Sequence, residues 1–357
     1  MSDHTSKNVK LPSLAIGPAN YAGQATAWAA AVRKHLEVAA WSFAEAPVGS
    51  GGFRFDVDKP IHRALFRNPV ARGMRSRKLF AGLTHVALDG FEPYFHLKRR
   101  RKFAGDLAWL NAAGYKTALI AHGSDVRDPH RHIEINGKWS MYLAGDAEWR
   151  ADLARAARLH RAVAESSGKP VFYSTPDLRL DLEGGTWLPV CLDVNAWGTD
   201  APLLERAQPR VLHIPSRRNP PIKGTQFVDP VLRKLDDAGK IEYVCPESVP
   251  HSEMRSLVHD VDIVVDQLLA GSYGVAAIEA MSAGRVTVGR LAPPVLDLMP
   301  EAPPIVQATP DELEETIVAI VEDRDHYRRL GREGINFAHI WHSGKASATA
   351  LRGYLER

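Results

Sequence analysis

The sequence predicts an α/β protein built from two doubly wound, Rossmann-like domains. Short apolar runs, typical of buried parallel strands, alternate along the chain with segments whose apolar residues recur at helical spacing. A stretch rich in glycine and proline, residues 184–209, interrupts this alternation before it restarts. At 357 residues the chain is long enough for two domains. These observations predict two parallel sheets facing each other across a cleft, with ligands at the carboxyl ends of the strands.

The two predicted domains, residues 1–195 and 196–342, repeat one plan. The clearest helix prediction spans residues 146–165, where apolar residues keep a helical period until Gly168 and Pro170 end it. The stretch 184–209 is interpreted as the linker. The predicted strands are 14–16, 38–43, 86–88, 117–121, 171–173, 210–214, 241–244, 262–265 and 286–288, and the predicted helices are 24–35, 146–165, 225–238, 252–259, 274–282 and 310–322.

Composition excludes several classes of protein. Lys and Arg total 45 against 42 for Asp and Glu, and this net charge of +3 is too balanced for a general nucleic-acid coat protein. Two cysteines are too few for a disulfide framework or a four-cysteine zinc site. The first ten residues are polar and no stretch approaches 18 uninterrupted apolar residues, which argues against a signal peptide and a spanning helix. We therefore expect a cytoplasmic protein without a nucleic-acid partner.

The strongest site signal follows the predicted strand that ends at Asp266. A loop of small residues runs from there to Gly274, where a helix begins, and we call it the glycine loop. Because free N–H groups at a helix N-terminus bind anions, Ser272, Tyr273 and Gly274 are predicted to cradle a phosphate. Glu279 needs a donor partner if it is buried, and ribose hydroxyls would supply one. The alternative is a plain turn with Glu279 on a solvated face.

Basic residues cluster in two places. Arg217, Arg218 and Lys223 lie between a predicted strand and a helix, where guanidinium and ammonium groups suit a diphosphate. The alternative for this segment is a solvated surface loop. The run from Lys98 to Lys102 contains five consecutive basic residues. It indicates either a solvated face or peripheral contact with an anionic membrane surface.

Histidines follow the predicted strand 117–121. His122 precedes a glycine, so its side chain can reach into a cleft, although a hydrogen-bonded structural histidine fits the same position. His130 and His132 are close in sequence and raise the possibility of a metal cluster. No second group of ligands with metal spacing stands nearby, so we expect no metal.

The loop of His122, the basic segment that ends at Lys223 and the glycine loop together resemble those of GT-B glycosyltransferases of the large retaining family numbered four. The similarity covers nearly the whole chain and is strongest at residues 211–289, which hold the Lys-Gly-Thr and Glu-Ala-Met sequences. The resemblance implies a retaining enzyme that is independent of metals and other cofactors. It also implies a nucleotide diphosphate sugar as co-substrate.

The resemblance also assigns roles to individual residues. Lys223 matches the phosphate-binding lysine, and Arg218 or its neighbour Arg217 matches the accompanying arginine. Glu279 matches the second glutamate of a Glu-x7-Glu motif, the one that holds the ribose. The first glutamate falls at Gly271, so this sequence departs from the pattern. The sugar contacts are therefore expected from Asp266 and Gln267, or from backbone N–H groups of the glycine loop.

The remaining matches lie on both sides of the predicted cleft. His122 matches the cleft histidine, and Asn20 and Gly23 belong to a match for the family's N-terminal loop, residues 17–24. Val249 and Pro250 fall where such enzymes seat the base. Residues 343–357 resemble the C-terminal helix that crosses back onto the first domain. With Lys223 and Glu279, His122 completes the expected catalytic set.

The sequence thus predicts a hexosyltransferase that moves a sugar from a nucleotide diphosphate to a glycan, glycolipid or small molecule. Two alternatives stand beside this prediction, one a different enzyme and one from another class of function. One is a nucleotide-sugar epimerase on the same fold, which needs no acceptor. The other is a non-catalytic nucleotide-sugar-binding protein, which the glycine at position 271 makes a serious alternative. The nucleobase, the sugar, the acceptor, the general base and the oligomeric state remain open at this stage.

Overall fold

The computed structural model describes residues 11–45, 55–61, 69–93, 103–215, 219–246 and 249–357. It confirms the predicted α/β class, because the described strands form two parallel sheets with helices between them. The first sheet has seven strands and the second has five. None of the described helices is both long and apolar enough to cross a membrane.

The first sheet has the strand order β3-β2-β1-β4-β5-β6-β7, and all its pairs are parallel. The order reverses between β1 and β4, which places a ligand crevice at their carboxyl ends. Both strands are buried along their whole length, as expected for central strands of a parallel sheet. The elements are β1 (Ser13–Gly17), α1 (Gln24–Leu36), β2 (Ala39–Glu45), β3 (Lys59–Ile61), α2 (Pro69–Leu79), β4 (His85–Asp89), α3 (Phe103–Ala112), β5 (Lys116–Ala121), α4 (Pro129–Asn136), α5 (Ala147–Ser166), β6 (Val171–Tyr173) and β7 (Thr186–Trp187).

The second sheet has the order β12-β11-β10-β8-β9 and is also parallel throughout. Its order reverses between β8 and β10, so a second crevice lies where these strands end. The elements are α6 (Val194–Trp197), β8 (Arg210–Leu212), α7 (Thr225–Asp237), β9 (Glu242–Val244), α8 (His251–His259), β10 (Ile263–Val265), α9 (Val275–Ser282), β11 (Val286–Gly289), α10 (Pro293–Leu296), β12 (Val306–Gln307), α11 (Leu313–Glu322), α12 (Arg324–His342) and α13 (Lys345–Leu355).

The end of the chain returns to the first sheet. Helix α12 packs on α9, and Gly344 then turns the chain with φ at +97°. Helix α13 packs against α1, where Ala348 and Leu351 are fully buried. The hydroxyl of Tyr354 donates a hydrogen bond to the Lys116 carbonyl, 2.8 Å away. The last helix therefore belongs to the apolar core of the first sheet.

The stretch 184–209, which the sequence predicts to be irregular, contains two short elements. Strand β7 extends the first sheet, pairing Phe172 with Thr186 and Tyr173 with Trp187. Helix α6 follows, and Asp193 caps it by accepting a hydrogen bond from the Ala196 amide. The chain thus crosses between the two sheets with a strand on one side and a capped turn of helix on the other.

Candidate functional site

A cavity of about 840 Å³ lies where the two crevices face each other. Loops at the carboxyl ends of β1, β8 and β10 line it together with the beginning of α9. Because ligands of doubly wound sheets bind at such switch points, this cavity is the candidate site. The predicted site residues that the structure brings together here are Asn20, Gly23, Lys223, Asp266, Gln267, Gly274 and Glu279.

Three polar groups meet at one wall of the cavity. Lys223 Nζ donates to Asp266 Oδ1 at 2.8 Å, and the Gly274 amide donates to Asp266 Oδ2 at 3.4 Å. Asp266 is buried, while the Lys223 side chain is 16% exposed. The ammonium group and the N-terminus of α9 thus converge on one carboxylate. Both groups attract anions, so this wall suits a phosphate that enters from the cavity.

Glu279 lies on the same helix, one turn beyond the converging groups. It is buried, and none of the described residues forms a hydrogen bond with its carboxyl group. Burial raises the pKa of Glu279 to about 8, against a smaller lowering by the nearby Lys223 ammonium. A buried carboxyl that faces a cavity and has no partner among the described residues can bind donor or acceptor groups of a ligand. Sugar hydroxyls are donors and acceptors of the right kind.

The N-terminal loop is held by Asp89, a residue that was not predicted from the sequence. Asp89, at the end of β4, is fully buried and accepts hydrogen bonds from the amides of Ala19 at 2.7 Å and Asn20 at 2.9 Å. It also accepts from His122 Nε2 at 3.2 Å. One carboxylate therefore joins the loop after β1 to the histidine after β5. The sequence signal for this role of Asp89 is an aspartate at the end of an apolar strand, at the point where the strand order reverses.

His122 is fixed by aromatic neighbours as well as by Asp89. Its ring stacks on Trp28, with centroids 5.4 Å apart, and meets the edge of Tyr21 at 5.2 Å. Tyr21 lines the cavity, but His122 is not among the lining residues. The histidine is thus placed next to the cavity wall, and its catalytic contact stays a prediction.

The middle of the glycine loop faces away from this cavity. Ser272 Oγ is buried with no hydrogen-bond partner among the described residues, and the Tyr273 hydroxyl donates to His342 Nε2 at 3.1 Å. Gly271 lies beside Asn136 of α4. Gln267 Nε2 donates to the Ser272 carbonyl at 2.7 Å and so braces the loop. Any phosphate contact by Ser272 or Tyr273 would have to come from the backbone.

The cavity also has an apolar region. Trp197, Ile214, Pro215 and Met254 line it, and none of them was predicted from the sequence. The predicted base-binding residues Val249 and Pro250 lie just before α8, and neither is among the lining residues. Apolar side chains from α6, α8 and the loop after β8 thus form the surface on which a planar base would lie. They come from three separate segments, so no local pattern signalled them.

Several predicted residues are located elsewhere. Arg217 and Arg218 lie outside the described residues, as does the basic run from Lys98 to Lys102. His132 is buried, and its ring nitrogens contact Ser140 Oγ at 2.7 Å and the Ala270 carbonyl at 2.9 Å. In the part of the chain that the structure describes, no three His, Cys, Asp or Glu side chains form a group able to hold a metal ion.

Comparison with known proteins finds solved structures that share the fold of this chain. No protein-family model and no curated protein sequence matches this chain. Sucrose-phosphate synthase from Thermosynechococcus elongatus is 13% identical, with a TM-score of 0.60 over 97% of this chain and 98% of its own. A glycosyltransferase from Rickettsia africae is 12% identical, with a TM-score of 0.56 over 98% of both chains. HepE from Anabaena, in complex with UDP, is 12% identical, with a TM-score of 0.55 over 97% of this chain and all of its own. These likenesses confirm the predicted GT-B fold.

Proposed function

We propose that this protein is a retaining glycosyltransferase that uses a nucleoside diphosphate sugar as donor. The observation that carries the proposal is the wall formed by Lys223, the N-terminus of α9 and Glu279. It offers an anion site and, one helical turn away, a buried carboxyl that has no hydrogen-bond partner among the described residues. A phosphate joined to a ribose matches this order of groups.

In the proposed complex, Lys223 and the Gly274 amide bind the diphosphate, and Glu279 binds the ribose hydroxyls. Asp266 already contacts both anion-binding groups, so the entering phosphate shares Lys223 with it. Arg217 and Arg218, in the loop that precedes Lys223, are proposed to supply further positive charge. The base lies against the apolar region around Trp197 and Met254. Val249 and Pro250, which the sequence predicts to bind the base, lie next to this region.

The proposed reaction breaks the bond between the anomeric carbon and the diphosphate oxygen and forms a bond from that carbon to an acceptor oxygen. The acceptor's proton passes to the departing diphosphate, so no protein general base is assigned. Negative charge grows on the diphosphate as the bond breaks. Lys223 and the dipole of α9 stabilise that charge in place, and preorganised stabilisation of this kind commonly contributes most to an enzyme's rate enhancement. No metal ion or other cofactor is needed in this scheme.

The relatives support the chemical class of the ligand. HepE is described in complex with UDP and glucose, at 12% identity and a TM-score of 0.54. The catalytic domain of starch synthase IV from Arabidopsis is described with ADP and acarbose, at 11% identity and a TM-score of 0.55. Both are named as binding a nucleoside diphosphate, with different bases. A nucleoside diphosphate is therefore proposed for this chain as well.

The test is a binding screen followed by product analysis. UDP, GDP and ADP are compared with uridine, guanosine and adenosine by thermal unfolding, because a ligand of the folded state raises its stability. One diphosphate should stabilise the protein far more than its nucleoside. The matching sugar nucleotides are then incubated with and without candidate acceptors. A changed sugar nucleotide without acceptor would indicate an epimerase, and binding without turnover on any acceptor would indicate a binding protein.

A further inference from the structure

A segment of the first domain contacts the glycine loop of the second. Helix α4 and the turns after it run from residue 129 to residue 145, between β5 and β6. His132 Nε2 contacts the Ala270 carbonyl at 2.9 Å, and the Met141 amide donates to the Leu269 carbonyl at 2.9 Å. Two successive carbonyls of the loop are therefore bound by the other domain.

In this contact, His132 remains a hydrogen-bond donor near neutral pH. The Ala270 carbonyl can only accept, so the proton lies on Nε2 and Nδ1 accepts from the Ser140 hydroxyl at 2.7 Å. Burial and the nearby Arg127 guanidinium lower the pKa of His132 to about 4. The ring thus stays neutral, with this tautomer, near neutral pH. The contact at Ala270 does not depend on a proton that could be lost in that range.

Asn136 extends the contact to a third point. Its Nδ2 donates to the His132 carbonyl at 2.9 Å, and its Oδ1 accepts from Arg290 Nη1, in the second domain, at 2.8 Å. The Arg290 amide in turn donates to the Gln267 carbonyl of the glycine loop at 3.2 Å. A Cβ atom placed on Gly271 would lie 2.3 Å from Asn136 Oδ1. The loop approaches α4 so closely that no side chain fits at position 271 while Asn136 keeps its place.

We infer that Asn136 and Arg290 are positioning residues that hold the glycine loop against the first domain. In the proposed function, on which this inference rests for its consequence, the donor sugar lies beside Asp266 and Gln267, where the loop lines the cavity. Asn136 fills the space that a side chain at position 271 would otherwise take. Binding of the sugar part of the donor then depends on both domains, whereas binding of the diphosphate depends on Lys223 and α9.

The experiment measures hydrogen exchange of the glycine loop in the full chain. Asn136→Leu keeps the branched shape of the side chain and removes both hydrogen bonds. Arg290→Gln weakens the same contact from the other domain. Lys138→Gln is the matched control, because its ion pair with Asp311 also joins the domains but both side chains are more than half exposed. Thermal unfolding of each variant confirms that it is folded.

We expect amides of residues 267–274 to exchange about tenfold faster in Asn136→Leu and Arg290→Gln, and at the parental rate in Lys138→Gln. Parental exchange in both Asn136→Leu and Arg290→Gln would overturn the inference. So would faster exchange spread evenly over both domains. If Asn136→Leu does not fold, Arg290→Gln decides.

Titration separates this inference from the proposed function. UDP and UDP-glucose, and ADP and ADP-glucose, are compared on parent and variants. We expect Asn136→Leu to bind the diphosphates like the parent and to lose the additional affinity contributed by glucose. Equal loss for both ligands would contradict a positioning role toward the sugar. If the parent binds none of the four, the proposed function fails, while the exchange rates still decide whether Asn136 and Arg290 hold the loop.

Discussion

Burial of Glu279 limits the negative charge around the proposed phosphate site. Lys223 faces the carboxylate of Asp266, and the raised pKa of Glu279, about 8, leaves its carboxyl protonated near neutral pH. A second full negative charge beside Asp266 is thereby avoided. Among the described residues, an entering diphosphate meets the Lys223 ammonium group, the Asp266 carboxylate and the N-terminus of α9. Its binding consequently depends strongly on that ammonium group.

We predict that Lys223→Ala weakens binding of a nucleoside diphosphate about ten- to a hundredfold and leaves binding of the nucleoside unchanged. A hydrogen bond to a charged group contributes roughly 1.5–3 kcal/mol, which corresponds to that range. Calorimetry with UDP, ADP or GDP and the matching nucleosides measures it. Lys234→Ala is the control, because Lys234 is exposed and pairs with Glu314. An equal loss for both ligands would exclude a phosphate role.

Glu279 should also make stability depend on pH. Its folded pKa of about 8 lies above the ordinary value of 4.5, so the folded protein holds a proton that the unfolded chain releases. The stabilisation is complete below the unfolded pKa and is lost as pH rises through the folded one, by at most about 1.4 kcal/mol per unit. We predict that Glu279→Gln removes this decline between about pH 5 and 8. Denaturant unfolding at several pH values measures it, and an unchanged slope would refute it.

The helices show where the local sequence pattern predicts secondary structure and where it does not. The helix predicted at 146–165 is observed as Ala147–Ser166, because Asp146 caps it and its apolar spacing is regular. Helix α4 was missed, although Asp128 accepts from the amides of His130 and Arg131 and Pro129 occupies its first turn. Local signals predicted nine of the twelve described strands, all but β3, β7 and β12, and they did not reveal which helix contacts the glycine loop.

The site was predictable to the extent that its groups are local in sequence. Lys223 lies between β8 and α7, Asp266 and Gly274 lie between β10 and α9, and Glu279 lies in α9. The structure places all four at one cavity. Asp89 is different, because its partners Ala19 and Asn20 lie about 70 residues away along the chain. Its role depends on β1 and β4 being neighbours. Neither propensity nor spacing specifies that pairing for a single residue.

The glycine loop provides a test of the contact with α4. Gly271 has φ at +64°, and an added Cβ would lie 2.3 Å from Asn136 Oδ1. Gly168 has φ at +63° with nothing within 4 Å of an added Cβ, so it is a matched control for backbone strain alone. We predict that Gly271→Ala lowers the free energy of unfolding by about 1–3 kcal/mol more than Gly168→Ala.

A second substitution checks the cause of that difference. Asn136→Ala removes the atom that an added Cβ would meet, so Gly271→Ala should cost less in the Asn136→Ala background than in the parent. Denaturant unfolding of the single and double variants gives this coupling. Equal costs in both backgrounds would mean that Asn136 does not restrict position 271.

At the scale of the whole molecule, we propose that the first domain is the part of the protein that contacts a membrane surface. The basic run from Lys98 to Lys102 is the sequence basis of this proposal, and exposed Arg77 and Lys78 of α2 add positive charge to the same domain. We predict co-sedimentation with vesicles containing anionic lipid that falls when Arg99, Arg100 and Arg101 are changed to Gln. The difference should be largest at low salt, where screening is weak. No co-sedimentation of the parent protein would end the membrane proposal.

The chain end couples the two domains through α13. This helix follows α12 of the second domain yet buries Ala348, Leu351, Tyr354 and Leu355 in the core of the first. Burying a large apolar side chain contributes about 1.5–3 kcal/mol, so three of them approach the total stability of a typical domain, roughly 5–15 kcal/mol. The first sheet therefore depends on residues that follow the second domain in the sequence.

We predict that deleting residues 344–357 destabilises the first domain selectively. Hydrogen exchange should accelerate in β1, α1 and β2, which pack beneath α13, while β8, β10 and α9 stay protected. The milder Leu351→Ala should show the same distribution with a cost of about 2–5 kcal/mol, since it leaves a cavity in the same core. Equal acceleration in both domains would mean that they unfold as one cooperative unit. Unchanged exchange in β1 and α1 would mean that α13 contributes little to the core it covers.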